Sequence, residues 1–257
     1  MAFLVVRNTT ASFFCTYNPV GMVNTATVFG YHALLFLMFL AVLLLAHQQQ
    51  SNRLLAKGCF AARPYMLLGL QLAGIVLFGV LPYGVPHLSY PVICPGRFSL
   101  VAFSFVVLLA TAALLAGRQQ AHKETATSVT PLSQLPGWPF LLVYLVFRLL
   151  FIAAYENWFR GFLLIDSLAL LPLTAAMALN GFLYAALHCI NGKKEMIGCL
   201  PFGWLLCGLC IWWGATWPAI LIHLMLTLGY EWQQWQSSIT KTSSYAHTRY
   251  RGFRLYR

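Results

Sequence analysis

The sequence predicts an all-α polytopic transmembrane helical bundle of about seven spans. Three observations carry that prediction. Of 257 residues, 60% are hydrophobic and only 8% carry a charge, against about 25% charged in a soluble domain. The five acidic residues, Glu124, Glu156, Asp166, Glu195 and Glu231, cannot hold a globular surface in water. Seven runs approach the roughly 20 apolar residues that a helical span needs. The 16 lysines and arginines, source of a net charge of +11, fall mostly in short stretches between those runs, as membrane loops do. The cationic excess therefore reports loops, and nucleic acid is not expected as a partner.

Taken in order, the first run is 27–46, followed by Arg53, Lys57 and Arg63. The second is 65–82 and the third 98–116. A polar linker at 117–137 follows, with Arg118, His122, Lys123 and several Thr, Ser and Pro residues. The fourth to seventh runs are 138–164, 168–190, 199–214 and 217–235, with Lys193 and Lys194 after the fifth. A tail at 237–257 adds Lys241, Arg249, Arg251, Arg254 and Arg257. Three regions result: a three-span N-terminal part with its linker (1–130), a four-span core (131–236) and the basic tail. The opposite side carries only Arg7, Arg97 and, near a span end, Arg160. The positive-inside rule then places the N-terminus outside and the tail in the cytoplasm, as expected for a bacterial inner membrane. There the tail, with Tyr245, Tyr250 and Tyr256, can lie on anionic headgroups. The first 25 residues lack the apolar core and small-residue site of a removable signal peptide. Seven cysteines form no paired framework, and Cys207 and Cys210, three apart inside an apolar run, read as packing residues.

An ionisable group at membrane depth is costly, and marks a site or a paired contact. Glu156 and Arg160 lie four apart in the fourth run. Tyr184 and His188 do so in the fifth, with Asn180 a turn earlier, and His223 and Thr227 in the seventh. Residues four apart share a helix face, so each helix offers a polar stripe to its neighbours. Helix rise puts Glu156 about 16 Å, His188 about 25 Å and His223 about 9 Å from the turns near 167–171 and 215–217. One shielded carboxylate and two imidazoles could activate water and hold an oxyanion. Glu156, His188 and His223 could equally bind zinc, or merely neutralise and bridge helices. Arg148, eight residues before Glu156, reads as a snorkelling side chain. Asp166 and Glu195 read as solvated, and Glu231 as surface. Trp204, Trp212, Trp213, Trp217, Trp232 and Trp235 read as an interfacial belt.

Tyr155-Glu156-Asn157-Trp158-Phe159-Arg160-Gly161 resembles the first motif, EExxFRG, of the CAAX-protease and bacteriocin-processing (CPBP) membrane family. Tyr184-Ala185-Ala186-Leu187-His188 is similar to its FxxxH. Gly203-Trp204-Leu205-Leu206 and the stretch Gly214 to His223 are similar to its glycine-rich span, turn and final histidine helix. The resemblance covers about 138–230. It implies a glutamate-type intramembrane endopeptidase acting on a membrane-associated polypeptide, with no cofactor required. In that family the paired glutamates and first histidine activate water, while the last histidine and an asparagine four residues on bind the oxyanion. Carried over, Glu156 and His188 would activate water, His223 and Thr227 would bind the oxyanion, and Arg160 would hold Glu156. Two positions depart: Tyr155 replaces the leading glutamate, usually given the base role, and Thr227 replaces the asparagine. The alternative is an inactive adaptor or immunity-type member of the same fold. A transporter reading has only buried charge behind it, without the repeats such folds display.

Overall fold

The computed structural model describes residues 25–56, 59–61, 63–84, 99–125 and 137–254, with side chains for 26–54, 61, 63–84, 99–124 and 137–237. The signal-peptide reading, most of the 117–137 linker and the tail side chains assigned to headgroups lie outside the described residues.

Helix α1 (Thr25–Gln48) leads into a short antiparallel pairing of β1 (Leu55–Ala56) with β2 (Cys59–Phe60). Helix α2 (Pro64–Gly74) starts with proline at its first turn, where a missing N–H costs nothing. It continues as a π segment, Ile75–Val80, and a 3-10 turn, Leu81–Gly84. Helix α3 is Leu100–Thr125, so 117–125 of the expected linker is helical. The apolar run of α3 needs no break before its first strong stop signals, the Thr, Ser and Pro residues beyond 125. Helix α4 (Trp138–Glu156) is followed by a π segment, Asn157–Leu163, and by α5 (Leu164–Leu170). Helix α6 is Leu173–Leu187, α7 is Lys193–Trp213 and α8 is Trp217–Arg254.

Among the described residues five stretches are long and apolar enough to cross a membrane: 26–48, 64–84, 100–124, 138–170 and 193–213. With the apolar helix α6 beside them, they make this an integral multi-pass membrane protein. The fifth predicted span is shortened at both ends. Pro172 caps α6, so the chain breaks at Leu171–Pro172, and the helix stops at Leu187, just before His188. The seventh run forms the first half of a longer helix, α8, that continues to Arg254.

Two buried clusters join the helices. Leu35 and Phe39 of α1, Phe78, Trp158, Phe159 and Phe162 of the π segments, and Tyr184 of α6 form one. Val106 and Ala110 of α3, Leu206, Cys210 and Trp213 of α7, and Ala219 and Ile222 of α8 form the other. Leu34, Leu37, Leu108, Leu115, Leu142 and Phe182 face outward, as side chains in lipid do. Helices α3 and α8 touch backbone to backbone. A Cβ added at Gly117 would overlap the Leu226 carbonyl, and one at Gly229 would overlap that of Leu114. Gly214 closes α7 in the left-handed conformation (φ 71°), which turns the chain sharply into α8.

Candidate functional site

The first motif lies where α4 widens into a π segment, a distortion that often marks functional positions. The wider turn points Glu156 and Arg160 into the bundle, and both side chains are fully buried. Glu156 Oε1 lies 2.6 Å from His223 Nδ1 of α8, and its Oε2 lies 3.5 Å from Arg160 Nε. The stripes of α4 and α8 therefore meet. Helix rise alone separated them in depth because it treated the two turns as level. Thr216, just before α8, donates to Asn157 Oδ1 (3.4 Å), tying the start of α8 to the π segment.

Arg160 is held from the far side. Its Nη1 donates to Asn180 Oδ1 (2.8 Å), while Asn180 Nδ2 donates to the Phe159 carbonyl (2.5 Å). Cys207 Sγ donates to the same Asn180 oxygen (3.2 Å). Cys199, Cys207 and Cys210 are free and buried. The Arg160 guanidinium carbon sits 4.5 Å from the Tyr184 ring centroid, a desolvated cation–π contact. Arg160 is thus not a loop cation at a span end: its charge is neutralised inside the bundle.

His188 does not reach Glu156. As the residue capping α6, it turns its Nδ1 to Glu195 Oε1 at 2.9 Å. Glu195, expected in solvent, is half-buried at the start of α7. Asn191 Nδ2 donates to its Oε1 (2.7 Å), and Arg53 pairs with its Oε2. Arg53 lies in the loop after α1. Burial works against its charge, but the Glu195 carboxylate, together with Tyr230 and Glu124, offsets this and holds its pKa above the usual value. Sequence distance hides the Arg53–Glu195 contact, whereas the His188–Glu195 spacing of seven becomes a contact only because α6 stops before it.

The other acids are paired too. Asp166 is buried in α5 with Oδ2 2.9 Å from His32 Nε2 of α1. Glu231 accepts a hydrogen bond from Tyr144 OH (2.7 Å) and pairs with Arg148 Nε at 3.1 Å, so Arg148 turns inward rather than snorkelling. Both corrections share a cause: an apolar bundle leaves a lone charge nowhere cheaper than beside an opposite one. Trp204, Trp212 and Trp232 are exposed as a belt requires, but Trp213 is buried and packs edge-on to Trp217.

A cavity of about 1120 Å³ lies among α1, α3, α4, α6, α7 and α8. Phe39, Leu70 and Phe151 form part of its apolar wall; Tyr155, His188, His223 and Thr227 also line it. The Tyr184 ring is 5.1 Å from the His188 ring and 6.1 Å from that of His223, standing between the two imidazoles. Tyr155 packs against Phe78, Phe151, Phe159, Tyr184 and His223, and its buried hydroxyl makes no hydrogen bond among the described residues. Among the described residues no three His, Cys, Asp or Glu side chains cluster as metal ligands. The possible zinc set is therefore split, with Glu156 on His223 and His188 on Glu195.

Residues 137–229 match the family model described as Rce1-like, type II CAAX prenyl endopeptidase Rce1-like, within the CPBP family. The matched segment runs from the start of α4 into α8 and contains all three motifs, so the resemblance they carried stands. That family is one of proteases. No curated protein and no solved structure matches the chain.

Proposed function

We propose that this protein is an intramembrane endopeptidase that hydrolyses a peptide bond near the C-terminus of a lipid-modified, membrane-associated polypeptide. The carrying observation is the Glu156–His223 pair beside a cavity that His188, His223 and Thr227 line. The matching family, that of type II CAAX prenyl endopeptidases, suggests the substrate class. The apolar side chains on the cavity wall suit a lipid-modified chain.

In this reading an attacking water loses its proton to an imidazole on the cavity wall, His188. Its oxygen adds to the scissile carbonyl, whose electron pair moves onto the carbonyl oxygen. His223 and the Thr227 hydroxyl, four residues apart on α8, donate to that oxyanion. With its Nδ1 hydrogen given to the Glu156 carboxylate, His223 donates from Nε2 in its imidazolium form. Arg160 Nε, 3.5 Å from Oε2, orients Glu156. Collapse of the intermediate breaks the C–N bond, and the proton held by the base passes to the departing nitrogen. No metal is required, so a chelator should leave turnover unchanged. The distribution of cations supports an N-terminus outside, with the tail along anionic headgroups on the cytoplasmic face of a bacterial inner membrane.

The test is cleavage of an internally quenched, farnesylated C-terminal peptide by the full chain in liposomes. The Glu156→Gln, His188→Ala and His223→Ala variants should each lose about a hundred- to a thousand-fold in kcat. Undiminished cleavage by all three would overturn the mechanism. Tyr155 favours a second reading, a non-catalytic adaptor, because a phenol without a partner among the described residues, packed among rings, stands where the family has a carboxylate. Full cellular function of the Glu156→Gln and His188→Ala variants would select it.

A further inference from the structure

His188 has a carboxylate of its own, and it is not the one in the first motif. Glu156 is fully buried and held by His223 and Arg160. The carboxylate beside His188 comes from Glu195, seven residues further on. The chain between them ends α6, forms a 3-10 turn at Cys189–Asn191 and passes Gly192 at φ 112° before α7 begins. That positive φ lets Glu195 fold back onto His188. Glu195 is held by more than His188: Asn191 donates to its Oε1 and Arg53 pairs with its Oε2, so both oxygens are fixed. Asn191 is itself held through Oδ1 by Asn52 Nδ2 (3.3 Å) and Arg53 Nε (3.2 Å). His188 and Glu195 line the same cavity as His223 and Thr227.

We propose that Glu195 is the positioning carboxylate of His188 in the peptidase reaction above, on which this inference rests. An ionised carboxylate can only accept, so it fixes the hydrogen of a neutral His188 on Nδ1. Nε2 then carries the lone pair and is the atom that takes the proton from the attacking water. The imidazolium formed in that step faces a carboxylate already in place, which stabilises it while the hydroxide adds to the carbonyl. When the C–N bond breaks, the Nε2 proton passes to the leaving nitrogen and the pair returns to its starting state. Glu195 remains ionised throughout. The carboxylate that Tyr155 removes from the first motif is thereby replaced, not by its neighbour Glu156, but from the start of α7.

A purely structural clip, tying the loop after α1 to the turn between α6 and α7, would use the same contacts. Kinetics and chemical labelling separate the two. With the farnesylated peptide in liposomes, Glu195→Gln should lower kcat about a hundred-fold or more with KM nearly unchanged. Glu195→Asp should recover part of that loss, and Lys194→Ala should behave as wild type. Independently of turnover, carbethoxylation of His188 by diethyl pyrocarbonate, followed by mass spectrometry at fixed pH, reads the nucleophilicity of Nε2. That rate should fall several-fold in Glu195→Gln and stay at the wild-type level in Lys194→Ala. Equal labelling in wild type and Glu195→Gln, or an unchanged kcat, overturns the assignment. If the wild type cleaves nothing, the peptidase reading fails, while the labelling rates still decide whether Glu195 positions His188. If Glu156→Gln abolishes cleavage and Glu195→Gln does not, the peptidase stands and this inference falls.

Discussion

Neutralising Glu156 tests the centre of the site through stability as well as turnover. Its carboxylate lies 3.5 Å from Arg160 Nε, with both side chains fully buried. At that separation and an effective dielectric constant of about 20, the Coulomb attraction is about 5 kcal/mol. Glu156→Gln keeps the shape and removes the charge. It leaves the Arg160 guanidinium in the bundle with Asn180 and the Tyr184 ring but no counter-charge. Removing one partner of a buried pair costs about 3–5 kcal/mol, and at this chain length that corresponds to a fall in Tm on the order of 10 °C. The assay is thermal unfolding in detergent followed by tryptophan fluorescence. A double variant, Glu156→Gln with Arg160→Met, should recover most of the lost Tm, because removing both charges of a buried pair is often close to neutral. Turnover should remain lost in both. A single Glu156→Gln protein that melts within about 1 °C of wild type would refute the claim that this is a buried, mutually dependent pair.

Further outcomes follow from the packing. Tyr155→Phe removes a buried hydroxyl that has no partner among the described residues; it should leave the Tm equal or slightly raised and preserve turnover. A folded Tyr155→Phe protein without activity would make the phenol a participant. Tyr155→Glu, which would help if the tyrosine merely crippled a base, should instead lose turnover, since it places a second acid beside Glu156 among five aromatic rings. Gly117→Ala and Gly229→Ala each push a methyl group into backbone at the α3–α8 contact. Each should cost about 1–3 kcal/mol and lower kcat by shifting Thr227, two residues before Gly229, as melting and peptide cleavage would report.

Much of the core was legible because its signals are local. Hydropathy marked the runs, and i,i+4 spacing placed Glu156 with Arg160 and His223 with Thr227 on common faces, where α4 with its π segment and α8 put them. The turns expected near 167–171 and 215–217 are present, at Leu171–Pro172 and Gly214–Thr216. The partner of His188 was not legible. A periodic pattern carries no record of where a helix stops, and stopping α6 at Leu187 turned His188 from a mid-span residue into a cap facing Glu195. Asp166, Glu231 and Arg148 depart from the sequence reading for a similar reason: distance along the chain says nothing of which helix a side chain meets.

The sequence by itself determined that this chain must live in lipid, that it is helical, and that a few costly polar residues recur at one-turn spacing along three helices. Those are properties of composition and period, which act within a single segment. Tertiary structure alone decided the longer-range pairing of charges: Glu156 with His223, Glu195 with His188 and Arg53, Asp166 with His32. In a low-dielectric bundle each buried charge takes the opposite partner that packing brings within reach, and that partner is chosen by helix ends, π turns and glycine contacts rather than by spacing.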